Sequence, residues 1–226
     1  MLTEYHCHVL PGIDDGSDSV ETSLAMLSLM QAQGVERVVF TPHFYAHREA
    51  SVEAFLEKRQ AAFEAIRERS PIREMHLGAE VAIEHGLSEL PGIEKLAVSG
   101  TRMILLELPY REFRPWMPEE VYNLTAEFGL KAVMAHIHRY LAYYNKEEME
   151  RILDLNAVFQ INNEAFGSLS QRSFVKKLIR QEYPLVFGSD AHDMKERRPN
   201  WDLLLRKCDS AVIEQANRRL ERYRTE

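Results

Sequence analysis

Side chains suited to metal binding crowd the first fifteen residues of the chain. His6 and His8 stand one residue apart in a short predicted strand, and Asp14 and Asp15 follow on a loop after Pro-Gly. Because alternate residues of a strand point to the same face, both imidazoles can reach one ion while Cys7 faces the opposite way. Taken alone, a His-x-His pair is as well explained by chance.

Further histidines and carboxylates stand at or just after the ends of later predicted strands. Glu107, for example, ends the apolar run Met-Ile-Leu-Leu, and a carboxylate in such a place needs a cation, a metal or a hydrogen-bond network. Asp190 and His192 repeat the alternation of the opening pair. The candidate ligands are His6, His8, Asp14, His43, Glu80, Glu107, His136, Asp190 and His192.

This ligand set predicts a cluster of two or three divalent ions. Nine nitrogen and oxygen ligands without a thiolate exceed what one ion can use, whereas a structural zinc site would be a closed set of four. Mixed imidazole and carboxylate ligation suits manganese, iron or zinc. Closely spaced ions lower the pKa of water and neutralise phosphoryl charge, which indicates hydrolysis of a phosphate ester.

The elements that must position these ligands alternate along the chain as about seven strand-helix repeats. Strands are predicted at residues 3–8, 36–41, 75–81, 101–107, 131–135, 158–162 and 184–188. Helices are predicted at residues 18–33, 51–69, 118–128, 146–153 and 171–180, with one or two closing helices within residues 201–222. Repeats of this kind imply parallel strands. Because ligands at strand ends converge around one axis in a barrel, we expect a closed or nearly closed α/β barrel, formed by a single domain over residues 1–226.

Composition limits the classes of function. The chain has 226 residues, 45% of them hydrophobic, and a formal net charge of -7, which gives no long-range attraction for nucleic acid. Two cysteines, Cys7 and Cys208, do not make a disulfide framework. No signal segment or membrane-length apolar run is present. We therefore expect a cytoplasmic protein without nucleic-acid binding or membrane insertion.

The motifs HCHVLPGIDDGS, TPH, GAE, HIHRY and GSDAH follow one another along essentially the full chain. In order and spacing they resemble the PHP (polymerase and histidinol phosphatase) superfamily, and the opening is most similar to its bacterial protein-tyrosine phosphatases of the CpsB/YwqE type from capsule and exopolysaccharide loci. The resemblance implies a distorted parallel (β/α)7 TIM-like barrel. It implies a trinuclear, usually manganese-dependent site, with the nine candidate ligands at the family's ligand positions.

The same resemblance implies a substrate and a partner. The substrate would be phosphotyrosine in the tail of a cognate bacterial tyrosine kinase, and the output would be control of capsular or extracellular polysaccharide synthesis. Arg139 and Arg197 stand where the family has arginines implicated in substrate binding, and Arg198 competes with Arg197 for that alignment. Guanidinium groups match phosphate oxygens through paired hydrogen bonds, so these arginines are the predicted catalytic and substrate-binding residues.

Several alternatives remain open at the level of sequence. A small-molecule phosphatase such as a histidinol-phosphate phosphatase shares the metal site, and a non-catalytic scaffold or a nucleic-acid processing domain could share the barrel. His138 stands where many relatives carry Glu and is interpreted as a rim residue rather than a spare ligand or proton donor. Asp15 is expected to shape its loop through backbone hydrogen bonds. The oligomeric state stays open.

Overall fold

Short parallel strands alternate with helices in the computed structural model, which describes residues 1–225. The strands are β1 (Leu2–Cys7), β2 (Val35–Phe40), β3 (His43–Phe44), β4 (Glu74–Leu77), β5 (Glu80–Ala82), β6 (Met103–Glu107), β7 (Lys131–Met134), β8 (Val158–Asn162) and β9 (Leu185–Gly188). The helices are α1 (Val20–Ala32), α2 (Val52–Arg67), α3 (Trp116–Phe128), α4 (Lys146–Leu153), α5 (Leu169–Arg180), α6 (Trp201–Leu205), α7 (Ser210–Asn217) and α8 (Arg219–Arg222). Among the described residues, no helix has both the length and the apolar character needed to cross a bilayer.

Local capping residues explain where the helices begin and end. The Ser19 side chain accepts a hydrogen bond from the Thr22 backbone N–H at the start of α1. Asn145 and Glu148 form a reciprocal capping box at the start of α4. Gly129, with φ of 62°, adopts the left-handed conformation that ends α3. These short-range signals account for the agreement between the predicted and observed helices.

The strands form two parallel sheets. One has three strands in the order β1-β2-β4, and the other has six in the order β3-β5-β6-β7-β8-β9. Every pairing between named strands of residues 1–225 is parallel. The prediction of a parallel α/β fold is therefore confirmed.

The predicted closed barrel is not confirmed, because the strand ladders of residues 1–225 do not close. Pro42, which has no backbone N–H, separates β2 from β3, and Gly78 separates β4 from β5. The predicted strand 75–81 is thus two strands. Between β1 and β9 there are isolated contacts: Asp190 N–H donates to His6 O at 2.8 Å, and a single bridge joins Cys7 to Ala191.

Two groups of buried apolar side chains lie on opposite sides of the strands. The larger one packs the strands against the helices. The smaller one contains side chains from six different strands together with Leu220 of α8. Its members are Tyr5, Val39, Val98, Met103, Leu105, Val133, Ala135, Val158, Val186 and Leu220. The strand faces opposite the helices therefore pack against one another.

Candidate functional site

The first two histidines are buried side by side at the end of β1. Neither ring is exposed, and their Nε2 atoms lie 3.2 Å apart. Cys7 points elsewhere, and its Sγ donates to the backbone oxygen of Val39 at 3.5 Å. The strand therefore presents both imidazoles to one point, as the alternation predicts.

The Glu80 carboxylate lies at the centre of four histidines, two from β1 and its end, one from β3 and one that follows β7. Its Oε2 is 3.1 Å from His6 Nε2, 3.2 Å from His8 Nε2 and 3.1 Å from His43 Nδ1. Its Oε1 is 2.8 Å from His136 Nε2. Burial raises the pKa of the Glu80 carboxyl, but the facing imidazoles, His6 above all, outweigh burial and hold that pKa well below its usual range. Such a carboxylate has the position of a bridging ligand.

The two carboxylate oxygens of Asp190 face different groups, one the histidines and the other the arginines. Oδ1 lies 3.4 Å from His8 Nε2 and 3.6 Å from His6 Nε2. Oδ2 lies 2.7 Å from Arg139 Nη1 and 2.9 Å from Arg197 Nη2. The residue has a φ of 51°, which is strained for a side chain other than glycine. Asp190 therefore joins the candidate metal centre to the two predicted substrate-binding arginines.

Asp14 orients His8 and fixes its own loop. Its Oδ2 lies 2.7 Å from His8 Nδ1, the ring nitrogen that faces away from the other histidines, and also accepts a hydrogen bond from His43 N–H. Its Oδ1 accepts from Gly16 N–H at 3.0 Å. These contacts are the backbone-shaping contacts that the sequence analysis assigned to Asp15.

Asp15, in contrast, lies among the histidines. Its Oδ1 is 3.4 Å from His43 Nε2 and 3.5 Å from His192 Nε2. The two aspartates thus hold positions opposite to those predicted: Asp15 reaches the candidate centre, and Asp14 supports a ligand from behind. Metal ligation by Asp14 remains a prediction.

The ligand atoms form four overlapping groups, and within each group all atoms lie within 4.8 Å of one another. Every predicted ligand except Asp14 belongs to at least one group, and Asp15 is added. The groups are His8, Asp15, His43 and His192; His6, His8 and Asp190; His6, Glu80 and His136; and His43, Glu80 and Glu107.

Two buried ring nitrogens indicate that this donor set fits metal ions. His43 Nδ1 and His192 Nε2 are buried and have no hydrogen-bond partner within residues 1–225. Each nevertheless faces a carboxylate, Glu80 Oε2 at 3.1 Å and Asp15 Oδ1 at 3.5 Å. Buried polar atoms rarely stay unpartnered, and a divalent cation between imidazole and carboxylate would satisfy both.

The electrostatics of the histidines support the same fit. Burial lowers the pKa of His8, but contacts with Asp14 and other carboxylates outweigh it and raise that pKa well above its ordinary value. Burial also opposes protonation of His136, yet Glu107 and Glu80 raise its pKa to about 9. The carboxylates therefore favour positive charge among these histidines. Metal binding would supply that charge and displace the protons from the rings.

A cavity of about 490 Å³ opens onto the cluster. Arg139 and Arg197 line it, whereas Arg198 is exposed and lies outside its wall. Arg139 donates from Nε and Nη2 to Glu164 Oε1, at 3.0 and 2.6 Å, so Glu164 holds one edge of its guanidinium while Nη1 contacts Asp190. The structure thus places Arg197 rather than Arg198 at the site. The remaining wall includes Tyr45 and Tyr110.

His138 is not a rim residue. Its side chain is fully buried, and both ring nitrogens lack a hydrogen-bond partner within the described chain. Its nearest carboxylate oxygen is Glu164 Oε1, 3.8 Å from Nε2. Burial lowers the pKa of His138 to about 4. The rim interpretation is therefore wrong, and the ring is a neutral buried group beside the salt bridge of Arg139.

Sequence reasoning missed a set of buried polar residues behind the ligands. Glu4 is fully buried and accepts hydrogen bonds from His6 N–H, Ser189 N–H and Oγ, and Trp201 Nε1. Gln160 also lies behind the cluster, in β8. The polar alternation of Gln160, Asn162 and Glu164 in an otherwise apolar stretch was one available signal, and the alternation of Glu4 with His6 and His8 was another.

Comparison with known proteins identifies the family of the chain. A family model described as "Capsular polysaccharide synthesis, CpsB/CapC" matches residues 2–223. The chain is 29% identical over 217 residues to tyrosine-protein phosphatase CpsB of Streptococcus pneumoniae, covering 88% of this chain and 86% of that protein.

Two solved structures share the fold. A chain from the crystal structures of YwqE from Bacillus subtilis and CpsB from Streptococcus pneumoniae, described as metal-dependent tyrosine phosphatases, has a TM-score of 0.77 and 23% identity, covering 99% of this chain and 96% of that one. Histidinol phosphate phosphatase from Lactococcus lactis has a TM-score of 0.56 and 15% identity, covering 95% of this chain and 93% of that one.

Proposed function

The chain belongs to the CpsB/CapC family of capsular polysaccharide synthesis, and on that premise we propose that it is a metal-dependent phosphatase of phosphotyrosine in proteins. One observation carries the proposal: a cluster of imidazole and carboxylate ligands shares a single cavity with two arginines. A metal cluster alone would suit many hydrolases. The adjacent guanidinium groups add the chemistry that recognises phosphate.

The metal site would hold two or three divalent ions, most simply Mn²⁺, with Fe or Zn as the alternatives. When bound, such ions lower the pKa of water and neutralise phosphoryl charge. The chain's own part is to hold the ligands at fixed separations. Glu80, the first residue of β5, and Asp190, just after β9, do this from buried positions where hydrogen bonds restrict both carboxylates.

The arginines would bind the phosphoryl oxygens. Arg139 Nη1 and Arg197 Nη2 meet at the same oxygen of Asp190, which places both guanidinium groups at the edge of the ligand cluster. Glu164 holds Arg139 from behind, so its planar group is already oriented before a substrate arrives. The negative charge of the phosphoryl group would then be bound by guanidinium N–H donors that need little rearrangement.

The cavity wall fits a phenyl ring. Tyr110 stacks on His136 with ring centroids 5.7 Å apart, and its hydroxyl lies 3.0 Å from His136 Nδ1. Tyr45 stacks on His43 with centroids 5.2 Å apart. An aryl phosphate can therefore place its ring between aromatic and apolar side chains while its phosphate reaches the cluster.

No thiol takes part in this chemistry. Cys7 is fully buried and donates its hydrogen bond away from the cluster, to Val39. Burial raises the pKa of the Cys7 thiol well above its ordinary value, so it stays protonated and is a poor nucleophile. A phospho-cysteine intermediate is thus not part of the proposal.

The biological setting follows from the family. We propose that the substrate is the phosphotyrosine tail of a bacterial tyrosine kinase, that the reaction takes place in the cytoplasm, and that it regulates capsular or extracellular polysaccharide synthesis. We also propose that residues 1–226 form one domain whose two sheets are parts of one interrupted seven-stranded barrel. The buried cluster shared by six strands and the contacts between Asp190 and His6 support that interpretation.

The test is hydrolysis of a tyrosine-phosphorylated peptide from a kinase tail, with and without Mn²⁺. We expect turnover that requires the metal and that falls by on the order of 10²-fold in His136→Ala. The matched control is His76→Ala, since His76 in β4 belongs to none of the ligand groups and does not line the cavity, and its Nδ1 lies 3.0 Å from Ser99 O. Histidinol phosphate is the comparison substrate. Faster turnover of histidinol phosphate, or metal-independent turnover of the peptide, contradicts the proposal.

A further inference from the structure

A chain of hydrogen bonds with a fixed direction runs behind the candidate metal centre. It starts at the backbone N–H of His136, which donates to Gln160 Oε1 at 2.6 Å. Gln160 Nε2 donates to Asn162 Oδ1 at 3.0 Å, and Asn162 Nδ2 donates to Asp190 Oδ2 at 3.0 Å. Both amide side chains are fully buried, so water does not compete for these bonds.

The backbone amide sets the orientation of the first side chain. A backbone N–H can only donate, so the Gln160 atom that faces His136 must be the amide oxygen. The same oxygen lies 3.1 Å from His6 Nδ1. Two acceptors would repel each other at that distance, so Nδ1 of His6 must carry a proton. The lone pair of the neutral ring is then on Nε2, the atom that faces His8, Glu80 and Asp190.

The orientation continues to Asp190. Because the oxygen of Gln160 is turned to His136, its amide nitrogen must face Asn162, which can accept there only through Oδ1. Asn162 then presents its nitrogen to Oδ2 of Asp190. That bond leaves Oδ1 of Asp190 turned toward the imidazoles of the candidate centre.

We propose that Gln160 is a positioning residue that fixes His6 with its proton on Nδ1 and, through Asn162, turns Oδ1 of Asp190 toward the metal site. The inference rests on the proposed metal site but not on the identity of the substrate. It also explains two buried amides in β8, Gln160 at its centre and Asn162 at its carboxyl end, where apolar side chains would otherwise pack. Outer hydrogen bonds of this kind change metal affinity about 10–100-fold.

The first test reads the protonation of His6 directly. In the Zn²⁺-loaded wild-type protein labelled with ¹⁵N-histidine, we expect the NMR resonances of His6 to show a protonated Nδ1 and an unprotonated Nε2. The assignment is made by comparison with His6→Gln. A proton on Nε2 overturns the inference. Zinc analysis is run on the same sample, so failure to bind metal, which contradicts the proposed function, is recognised separately.

The second test measures Mn²⁺ affinity of the metal-free protein by calorimetric titration. Gln160→Met keeps the shape but removes the acceptor, and we expect the Kd to rise about tenfold or more. Gln160→Glu keeps an acceptor for His6 but cannot donate to Asn162, so we expect a smaller rise. Gln60→Met, at an exposed position of α2, is the matched control. Unchanged affinity in Gln160→Met, or equal losses in both Gln160 variants, overturns the inference.

Asn162→Leu completes the comparison. Because Gln160 and Asn162 act in one chain, we expect the double variant with Gln160→Met to lose less affinity than the product of the two single losses. Independent losses that multiply show two unrelated structural roles and contradict the proposal. If Gln160→Met fails to fold, the Mn²⁺ affinity of the isosteric Gln160→Glu and the NMR measurement on the wild type still test the inference.

Discussion

Each end of the parallel strands carries a polar cavity, and the two cavities arrange their charges differently. At the carboxyl ends, acidic Glu80 and Asp190 are surrounded by imidazoles and guanidinium groups. At the amino ends, a cavity of about 600 Å³ is lined by Lys131, Arg219 and Arg222. Burial and the two neighbouring arginines lower the pKa of Lys131 there. Opposite charges are paired at close range at one end, whereas at the other end three basic side chains share the cavity wall with one acidic residue, Glu182.

Positive φ values occur at both ends. Two candidate ligands at the carboxyl ends, His136 and Asp190, have φ values of 29° and 51°. At the amino ends, Gly129 before β7 and Glu182 before β9 have φ values of 62° and 57°, and only the glycine adopts this conformation without a steric cost. A cavity or a positive φ is therefore not by itself a site. Ligands of unlike charge, held by buried hydrogen bonds, distinguish the functional end.

Removing one carboxylate charge at each end of the strands should give the largest difference in phosphatase activity between two variants. Glu80→Gln leaves four imidazoles without their shared carboxylate, and we expect phosphatase kcat/KM to fall by on the order of 10²–10³-fold, as for a broken buried ion pair. Glu74→Gln, in β4 at the amino ends, breaks a partly exposed contact with Arg37 and should cost less than about 1 kcal/mol of stability with little change in kcat/KM. Equal losses of activity contradict the distinction between the ends.

Metal removal should affect only the carboxyl end. At a Mn²⁺ concentration of about 100 times Kd, binding to the folded state should stabilise the protein by about 2.7 kcal/mol. We expect a rise in the thermal midpoint that chelation reverses and that Glu80→Gln lacks. Lys131→Met, at the amino ends, should keep the full rise. A rise that persists in Glu80→Gln places the metal elsewhere.

Neighbouring arginines allow a finer comparison within the carboxyl end. Arg197 donates to Asp190 in the cavity, whereas Arg198 is exposed outside it. Because lysine cannot reproduce the planar fork of arginine, we expect Arg197→Lys to raise KM for a phosphotyrosine peptide about tenfold. Arg198→Lys should change KM less than about twofold. A larger rise of KM in Arg198→Lys than in Arg197→Lys would show that Arg198, rather than Arg197, binds the substrate.

The smallest effect on phosphatase activity is expected from substitution of Cys7. This residue lies between two candidate ligands in the sequence, but its side chain faces away from them. In Cys7→Ser, the hydroxyl can keep the hydrogen bond to Val39 O, so kcat/KM should stay within about twofold and stability should fall by about 1 kcal/mol. Both are measured after the metal content has been checked. Loss of turnover at unchanged metal content overturns a mechanism without a thiol.

Elements determined by local signals were predictable from sequence. Helix Lys146–Leu153 and strand Val158–Asn162 have the predicted bounds, because a capping box and an apolar run of β-forming residues define them locally. The two-residue strand His43–Phe44 was missed, since its pairing with β5 is a long-range contact without a local pattern. The interruption of the strand at Gly78 was missed for the same reason.

The site was predictable to the extent that it follows from strand ends. His8, Glu80 and His136 were identified because each stands where a predicted strand finishes. The contacts that Asp14 makes with His8 and that Asp15 makes with His43 were not predictable, since side-chain directions in a loop follow no period. The supporting residues behind the ligands depend on which side chains meet across the fold, and a single sequence does not encode those pairings in any local spacing.

The buried carboxylate of Glu4 bears on how the protein is made. It accepts hydrogen bonds from Ser189 and Trp201, which lie 185 and 197 residues further along the chain. Its own strand also supplies His6, so the first candidate ligands to be synthesised acquire these neighbours only after β9 has been made. The candidate cluster and its buried support are therefore incomplete until synthesis has passed Trp201, and full loading with metal follows that point.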